Sequence, residues 1–115
     1  MHCEGTTDEV TWFEVAPCYG FHTMNVFEDE LGTVFIDVIR HSKMFDKDRL
    51  GPSEGIGYLY RWEISSGDGK VKEIQLDDAA IEFPRINECR TGKIYRYGYV
   101  STFTKDFSPS GLKKY

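Results

Sequence analysis

Several common functions need residues that this sequence has in short supply. Cysteine is limited to Cys3, Cys18 and Cys89. The number is odd, the spacing is wide and no CxxC pair occurs, so neither a zinc knuckle nor a dithiol redox pair is available. Three free thiols in a reducing cytoplasm is the expectation that follows. Positive charge is short as well: 14 Lys and Arg face 19 Asp and Glu, a formal net charge of −5. The densest basic cluster is Lys113-Lys114, whereas phosphate binding needs a concentrated basic surface, so no nucleic-acid partner is expected. No apolar run approaches the roughly 18 residues of a membrane span. The opening Met1-His2-Cys3-Glu4 and Thr6-Thr7-Asp8-Glu9 are polar and acidic, unlike a secretory leader. A cytoplasmic location is therefore expected. GxSxG and HExxH are both missing, and Gly51, Gly55 and Gly57 precede no helical pattern.

What is present is strand periodicity. The length of 115 residues suits one small domain, and 40% hydrophobic content with 15% aromatics describes a globular chain. Val10–Val15 is a short β-prone run ended by Ala16-Pro17. From Phe21 to Glu28 residues alternate, with His22, Met24, Val26 and Glu28 on one face and Phe21, Thr23, Asn25 and Phe27 on the other. Asp29-Glu30-Leu31-Gly32 predicts a turn and Thr33–Arg40 a returning strand, together an antiparallel hairpin. His41–Gly57, with Gly51-Pro52 and Gly55, predicts a long excursion with one helical turn near Asp46–Leu50. Tyr58–Ile64 alternates again, Ser65–Lys70 is a turn, and strands follow over Val71–Leu76, Ile81–Ile86 and Ile94–Ser101. Thr102–Tyr115 regains strand character only at its end. Short strands without a three-turn helix predict an all-β protein. Periodicity alone does not separate a propeller from a sandwich or a barrel.

Two residues stand out. His22 lies mid-strand among Met24 and Val26, where an unpaired ring nitrogen would cost about 1–3 kcal/mol. A metal on one nitrogen and a carboxylate on the other would satisfy both. A core histidine bonded to backbone carbonyls would do so equally well. Glu82, between Ile81 and Phe83-Pro84, is a carboxylate in an apolar setting and needs a partner. Arg85 or a water-exposed strand edge would serve, and Pro84 favours an edge because it cannot donate to a ladder.

In order along the chain, six segments resemble those of the carotenoid-cleavage oxygenases, the family of the lignostilbene dioxygenases and the retinal pigment epithelium isomerase. Phe21–Asp29 resembles the FHxxNxxE/D segment, and Val34–Asp37 the apolar strand with an Asp after it. Leu59–Ile64 resembles LxRW(x)I/L, and Glu82–Asn87 resembles EFPRI(D/N). Gly92 with Tyr95–Tyr99 looks like GxxYRYGY, and Gly111–Tyr115 like the start of GLxKYD. Pro17-Cys18-Tyr19 and Arg40–Phe45 are similar to the bacterial branch.

The resemblance implies a seven-bladed β-propeller with Fe(2+) on its axis, held by four histidines, with three glutamates orienting some of the rings. His22 matches one iron ligand, and Glu82 matches the glutamate that accepts a hydrogen bond from it. His41 and His2 match no ligand position and are expected at the surface. The implied reaction is cleavage of a conjugated C=C bond of a carotenoid, apocarotenoid or stilbene by O2, giving two carbonyl products, with no general base among these residues. Because the other ligands have no counterpart here, residues 1–115 are expected to be a fragment of a single domain truncated at both ends. Such a fragment would be inactive alone and able to associate with the missing propeller segments, and the full-length protein could lie peripherally on a membrane. The alternative is a non-catalytic β-rich binding module in which His22 and Glu82 are structural.

Overall fold

A computed structural model describes residues 5–50, 54–65, 67 and 69–115. His2, Cys3, Gly51-Pro52 and the turn residues Ser66 and Asp68, singled out above, lie outside the described residues. Seven strands follow one another: β1 (Tyr19–Glu28), β2 (Val34–His41), β3 (Gly57–Ile64), β4 (Val71–Gln75), β5 (Ile81–Ile86), β6 (Gly98–Phe103) and β7 (Pro109–Lys114). Single 3-10 turns occupy Thr7–Glu9 and Glu88–Arg90. The strands form a four-stranded sheet in the order β1-β2-β3-β4 and a three-stranded sheet in the order β5-β6-β7. Every pairing is antiparallel between chain neighbours, as short connections favour.

The β1–β2 hairpin closes for a local reason. Asp29 Oδ1 accepts the N–H groups of Leu31 and Thr33, both at 2.9 Å, while Gly32 takes a φ of 79°. Across the two sheets, Met24, Ile39, Leu59, Ile81 and Val100 form the core. β5 packs against β1, β2 and β3, so the second sheet leans on the face of the first. Close approach there needs Gly98: a Cβ at that position would lie 2.5 Å from Met24 Sδ. Regular pairing of β6 accordingly begins at Gly98, four residues later than the sequence pattern placed it.

Three further expectations meet a correction. Val10–Val15 forms no strand; Trp12 is 89% exposed, and the segment is tied down instead by Ala16 N–H donating to Glu73 Oε1 at 2.9 Å. β-propensity reflects fit to a pleated, half-buried surface, and here no ladder is offered. Nor is Asp46–Leu50 helical, because the Glu54 carboxylate takes the N–H groups of Asp46, Lys47 and Asp48. Strict alternation along β1 also fails. Register shifts between Gly20 and Thr23 and between Thr23 and Asn25 put bulges in the strand, so consecutive Met24 and Asn25 are both buried while Val26 is 43% exposed.

Buried Asn25 gains a task from the bulge. Its Nδ2 donates to the carbonyls of Arg90 (3.4 Å) and Lys93 (3.0 Å), and its Oδ1 accepts Gly92 N–H at 3.1 Å. The side chain thus clamps the 88–93 connection to β1. Asn25→Ala is expected to cost about 1–3 kcal/mol in urea denaturation, because the three hydrogen bonds of a buried amide are lost at once. A change within the error of the fit would show that the clamp is idle.

A second tie joins the end of β4 to β7. Burial pushes the Asp77 carboxyl up, yet the Lys113 ammonium and the Ala79 N–H bring it below its ordinary value of 3.8. A carboxyl depressed in the folded state adds stability above its unfolded value and loses it as pH falls through the folded one. Stability measured below pH 3.8 should therefore fall less steeply in Asp77→Asn than in the wild type. Parallel acid limbs would refute the link.

Candidate functional site

At one end of the interface between the sheets lies an apolar cleft of about 240 Å3, walled by Phe21, Ile56, Ile81, Phe83, Phe103 and Phe107. Only His22, His41 and Glu82 bring ionisable groups to its lining. β1 supplies His22, the last residue of β2 is His41, and β5 supplies Glu82. Residues 60 positions apart in sequence thus meet because β5 crosses the face of the first sheet.

β5 is distorted where it delivers Glu82. Glu82 pairs with Ser101 and Arg85 with Tyr99, so β5 spends three steps where β6 spends two. The bulge contains Phe83 at φ 55° and the buried Pro84, on an edge strand of its sheet. A non-glycine residue at positive φ costs of order 1–3 kcal/mol and gathers at functional sites. Phe107 (φ 61°) also lines the cleft, and Phe45 (φ 58°) packs its ring 5.9 Å from that of Phe21. Two strained phenylalanines therefore line the cavity, and a third packs against its Phe21 wall.

Glu82 is the hub. His22 Nδ1 donates to Glu82 Oε2 at 2.7 Å, and Phe83 N–H donates to the same oxygen at 2.6 Å. On the other oxygen, His41 Nε2 donates to Oε1 at 2.9 Å. Burial pushes the Glu82 carboxyl up, but the N–H groups of His41, Phe83 and His22 outweigh it and hold the group below the usual carboxylate range. Glu82 is anionic at neutral pH, accepting on both oxygens.

The expectations for the histidines divide. His22 and Glu82 are brought together, with the ring leaving Nε2 for another partner. The ring is not enclosed, however: its side chain is 46% exposed at the cleft, beside Phe83 at 5.3 Å between ring centroids. The bulges in β1 detach it from the apolar stripe that strict alternation predicted. His41, expected at the surface, is 2% exposed. Its Nδ1 faces the Gly55 carbonyl oxygen at 2.9 Å, an atom that can only accept, so Nδ1 carries a proton. Since Nε2 faces a carboxylate, both nitrogens are donors and the ring is an imidazolium. Burial pulls the His41 pKa down, but the bonds to Glu82 and Gly55 raise it overall. The one signal that could have found His41 is that it shares a face of β2 with Asp37 and Ile39, all three buried, although Val38 on the other face is buried as well. Among the described residues no group of three or more His, Cys, Asp or Glu side chains converges as a metal site.

Comparison with known proteins gives this cleft a context. A carotenoid cleavage oxygenase of Mycobacterium tuberculosis is 40% identical over 103 residues, covering 86% of this chain and 21% of the relative. The carotenoid 9,10(9',10')-cleavage dioxygenase 1 of Arabidopsis thaliana is 32% identical over 113 residues, 92% of this chain and 20% of that one. This chain spans about a fifth of the length of the curated relatives it matches. Among solved structures, the cobalt-substituted apocarotenoid oxygenase of Synechocystis superposes with a TM-score of 0.70 at 23% identity, over 85% of this chain and 22% of the other. That likeness shows the fold, so the two antiparallel sheets are part of a β-propeller. The model of the retinal pigment epithelial membrane protein family matches residues 2–115, nearly the whole sequence, and the chain therefore belongs to that family of carotenoid cleavage oxygenases.

Proposed function

We propose that this chain contributes one iron ligand, His22, and its orienting carboxylate, Glu82, to a dioxygenase that cleaves a conjugated C=C bond of an apolar polyene or stilbene. The observation that carries this reading is the 2.7 Å bond between His22 Nδ1 and Glu82 Oε2. It joins two side chains from different sheets, in a cleft whose remaining lining is apolar apart from His41 and Thr104.

The residues present fit a metal in one respect. A carboxylate on Nδ1 fixes the tautomer that leaves the Nε2 lone pair free, and it makes the ring a better donor. Iron(II), when bound, supplies the activation of O2. The remaining work falls to the chain itself. Glu82 holds the ring angle, and its negative charge offsets part of the charge of a dication. The phenylalanine walls exclude water and bind a conjugated hydrocarbon by area, aligning it without hydrogen bonds. His41 and Glu82 are saturated with one another and with backbone groups, which leaves neither free to move a proton.

One imidazole does not hold iron usefully. The purified 115-residue chain is expected to contain no iron beyond background by inductively coupled plasma mass spectrometry, and to leave apocarotenal and stilbene substrates intact. Turnover by the isolated chain would overturn this. The positive test is a chimera in which these residues replace the matching fifth of the M. tuberculosis relative. The chimera is expected to bind iron and cleave an apocarotenoid or a stilbene. A folded, iron-loaded chimera that cleaves neither would contradict the proposal.

A further inference from the structure

His41 matches no ligand position in the family pattern, yet its side chain is only 3% exposed and both its ring nitrogens are hydrogen-bonded. We propose that His41 is a positioning residue: it clamps one oxygen of Glu82 so that the other stays turned to His22 Nδ1. The inference rests on the reading of His22 as a metal ligand, and goes beyond it by assigning a residue that the pattern leaves out.

The geometry argues in three steps. First, His41 is unavailable for anything else. Its Nδ1 is bonded to Gly55 O and its Nε2 to Glu82 Oε1, so it keeps no lone pair for a metal. Second, Glu82 needs a second hold. A glutamate has several free torsions, and the His22 side chain that it holds is itself 46% exposed. Phe83 N–H holds Oε2 from the same strand, which leaves Oε1 as the end that another element must fix. His41, with its side chain only 3% exposed, supplies the rigid end. Third, the surroundings are shaped to the ring. Phe21 meets it edge-on at 5.4 Å and 89°. A Cβ at Gly57 would lie 2.7 Å from His41 Cε1, Ile39 Cγ2 and Ile81 O, so the strand facing the ring must be glycine there. The result is a relay from the Gly55 carbonyl through His41 and Glu82 to His22. Loop, strand β2, strand β5 and strand β1 are locked in one line of hydrogen bonds.

The test is the tautomer of His22, read by long-range 1H–15N correlation in the metal-free chain in mildly alkaline buffer. A free neutral imidazole divides its proton between the two nitrogens, and a fixed acceptor on one side selects one form. In the wild type the proton is expected mainly on Nδ1. His41→Leu should make that form the minor one, and His41→Gln, whose amide still donates to Glu82, should keep it major. A folded His41→Leu chain with His22 still protonated mainly on Nδ1 would overturn the proposal and leave the metal-ligand reading standing. A wild-type His22 carrying its proton on Nε2 would remove both. Should His41→Leu fail to fold, the wild type alone decides. In a mildly acidic sample both ring N–H groups of His41 should be visible and protected from exchange, and a His41 Nε2 without a proton there would refute the clamp.

Discussion

Asp37→Ala is expected to cost about 3–5 kcal/mol, enough to leave the chain largely unfolded in a urea titration at room temperature. The carboxylate is fully buried and serves two partners. Arg61 Nε donates to Oδ1 at 2.7 Å and an Arg61 terminal nitrogen to Oδ2 at 2.8 Å, a bidentate pair across β2 and β3. Tyr95 O–H donates to Oδ2 from the connection that precedes β6. Burial, reinforced by the charge of Asp37, pushes the Tyr95 phenol far above its ordinary value, so it remains a donor throughout the useful pH range. Removing the carboxylate strands a half-buried guanidinium and a half-buried hydroxyl at once. The rings of Phe27 and Phe35, 5.6 and 5.5 Å from the Arg61 guanidinium, cannot replace it. A cost below this range would mean that water reaches Arg61 once Asp37 is gone. A chain this short has little stability in reserve, which is why a single network can decide whether it folds.

The second large effect concerns metal affinity. Glu82→Gln, placed in the M. tuberculosis chimera, is expected to weaken iron binding by about 10–100-fold, the usual penalty for losing a carboxylate behind a metal-bound imidazole. The reason lies in the count of donors. Three N–H groups converge on the two oxygens of Glu82, from His22, Phe83 and His41. An amide has only one acceptor oxygen, so its NH2 must face at least one of these donors. If it faces His22, the ring flips its proton to Nε2 and loses the lone pair a metal needs. If it faces His41, a buried imidazolium loses its counter-charge. An equilibrium titration that gives equal affinities for Glu82 and Gln would count against the whole arrangement.

How much of this was legible beforehand differs from residue to residue, and the differences have physical causes. Strands β2, β3 and β5 could be read because their periodicity is local, and Asp29-Glu30-Leu31-Gly32 because its turn chemistry is local too. β1 was harder. Its bulges shift the pleat twice within a few residues, which period-two counting cannot register. Asp46–Leu50 looked helical by composition, but one carboxylate from Glu54 captured the N–H groups that a helix would have used. The pairing of His22 with Glu82 was reachable only through the family pattern, since the two residues owe their meeting to sheet packing. His41 was hidden by its neighbours. Flanked by Arg40 and Ser42 it resembles surface sequence, and its burial depends on Gly55 and Glu82, both far along the chain.

A role for this cleft in iron binding depends most on His22 giving its Nε2 to the metal. The iron content of the purified chimera, compared with that of its His22→Ala variant by mass spectrometry, measures this directly. The expected outcome is near-stoichiometric iron in the parent and almost none in the variant, with circular dichroism unchanged. Equal iron in two equally folded proteins would contradict it, and would return His22 and Glu82 to a structural role.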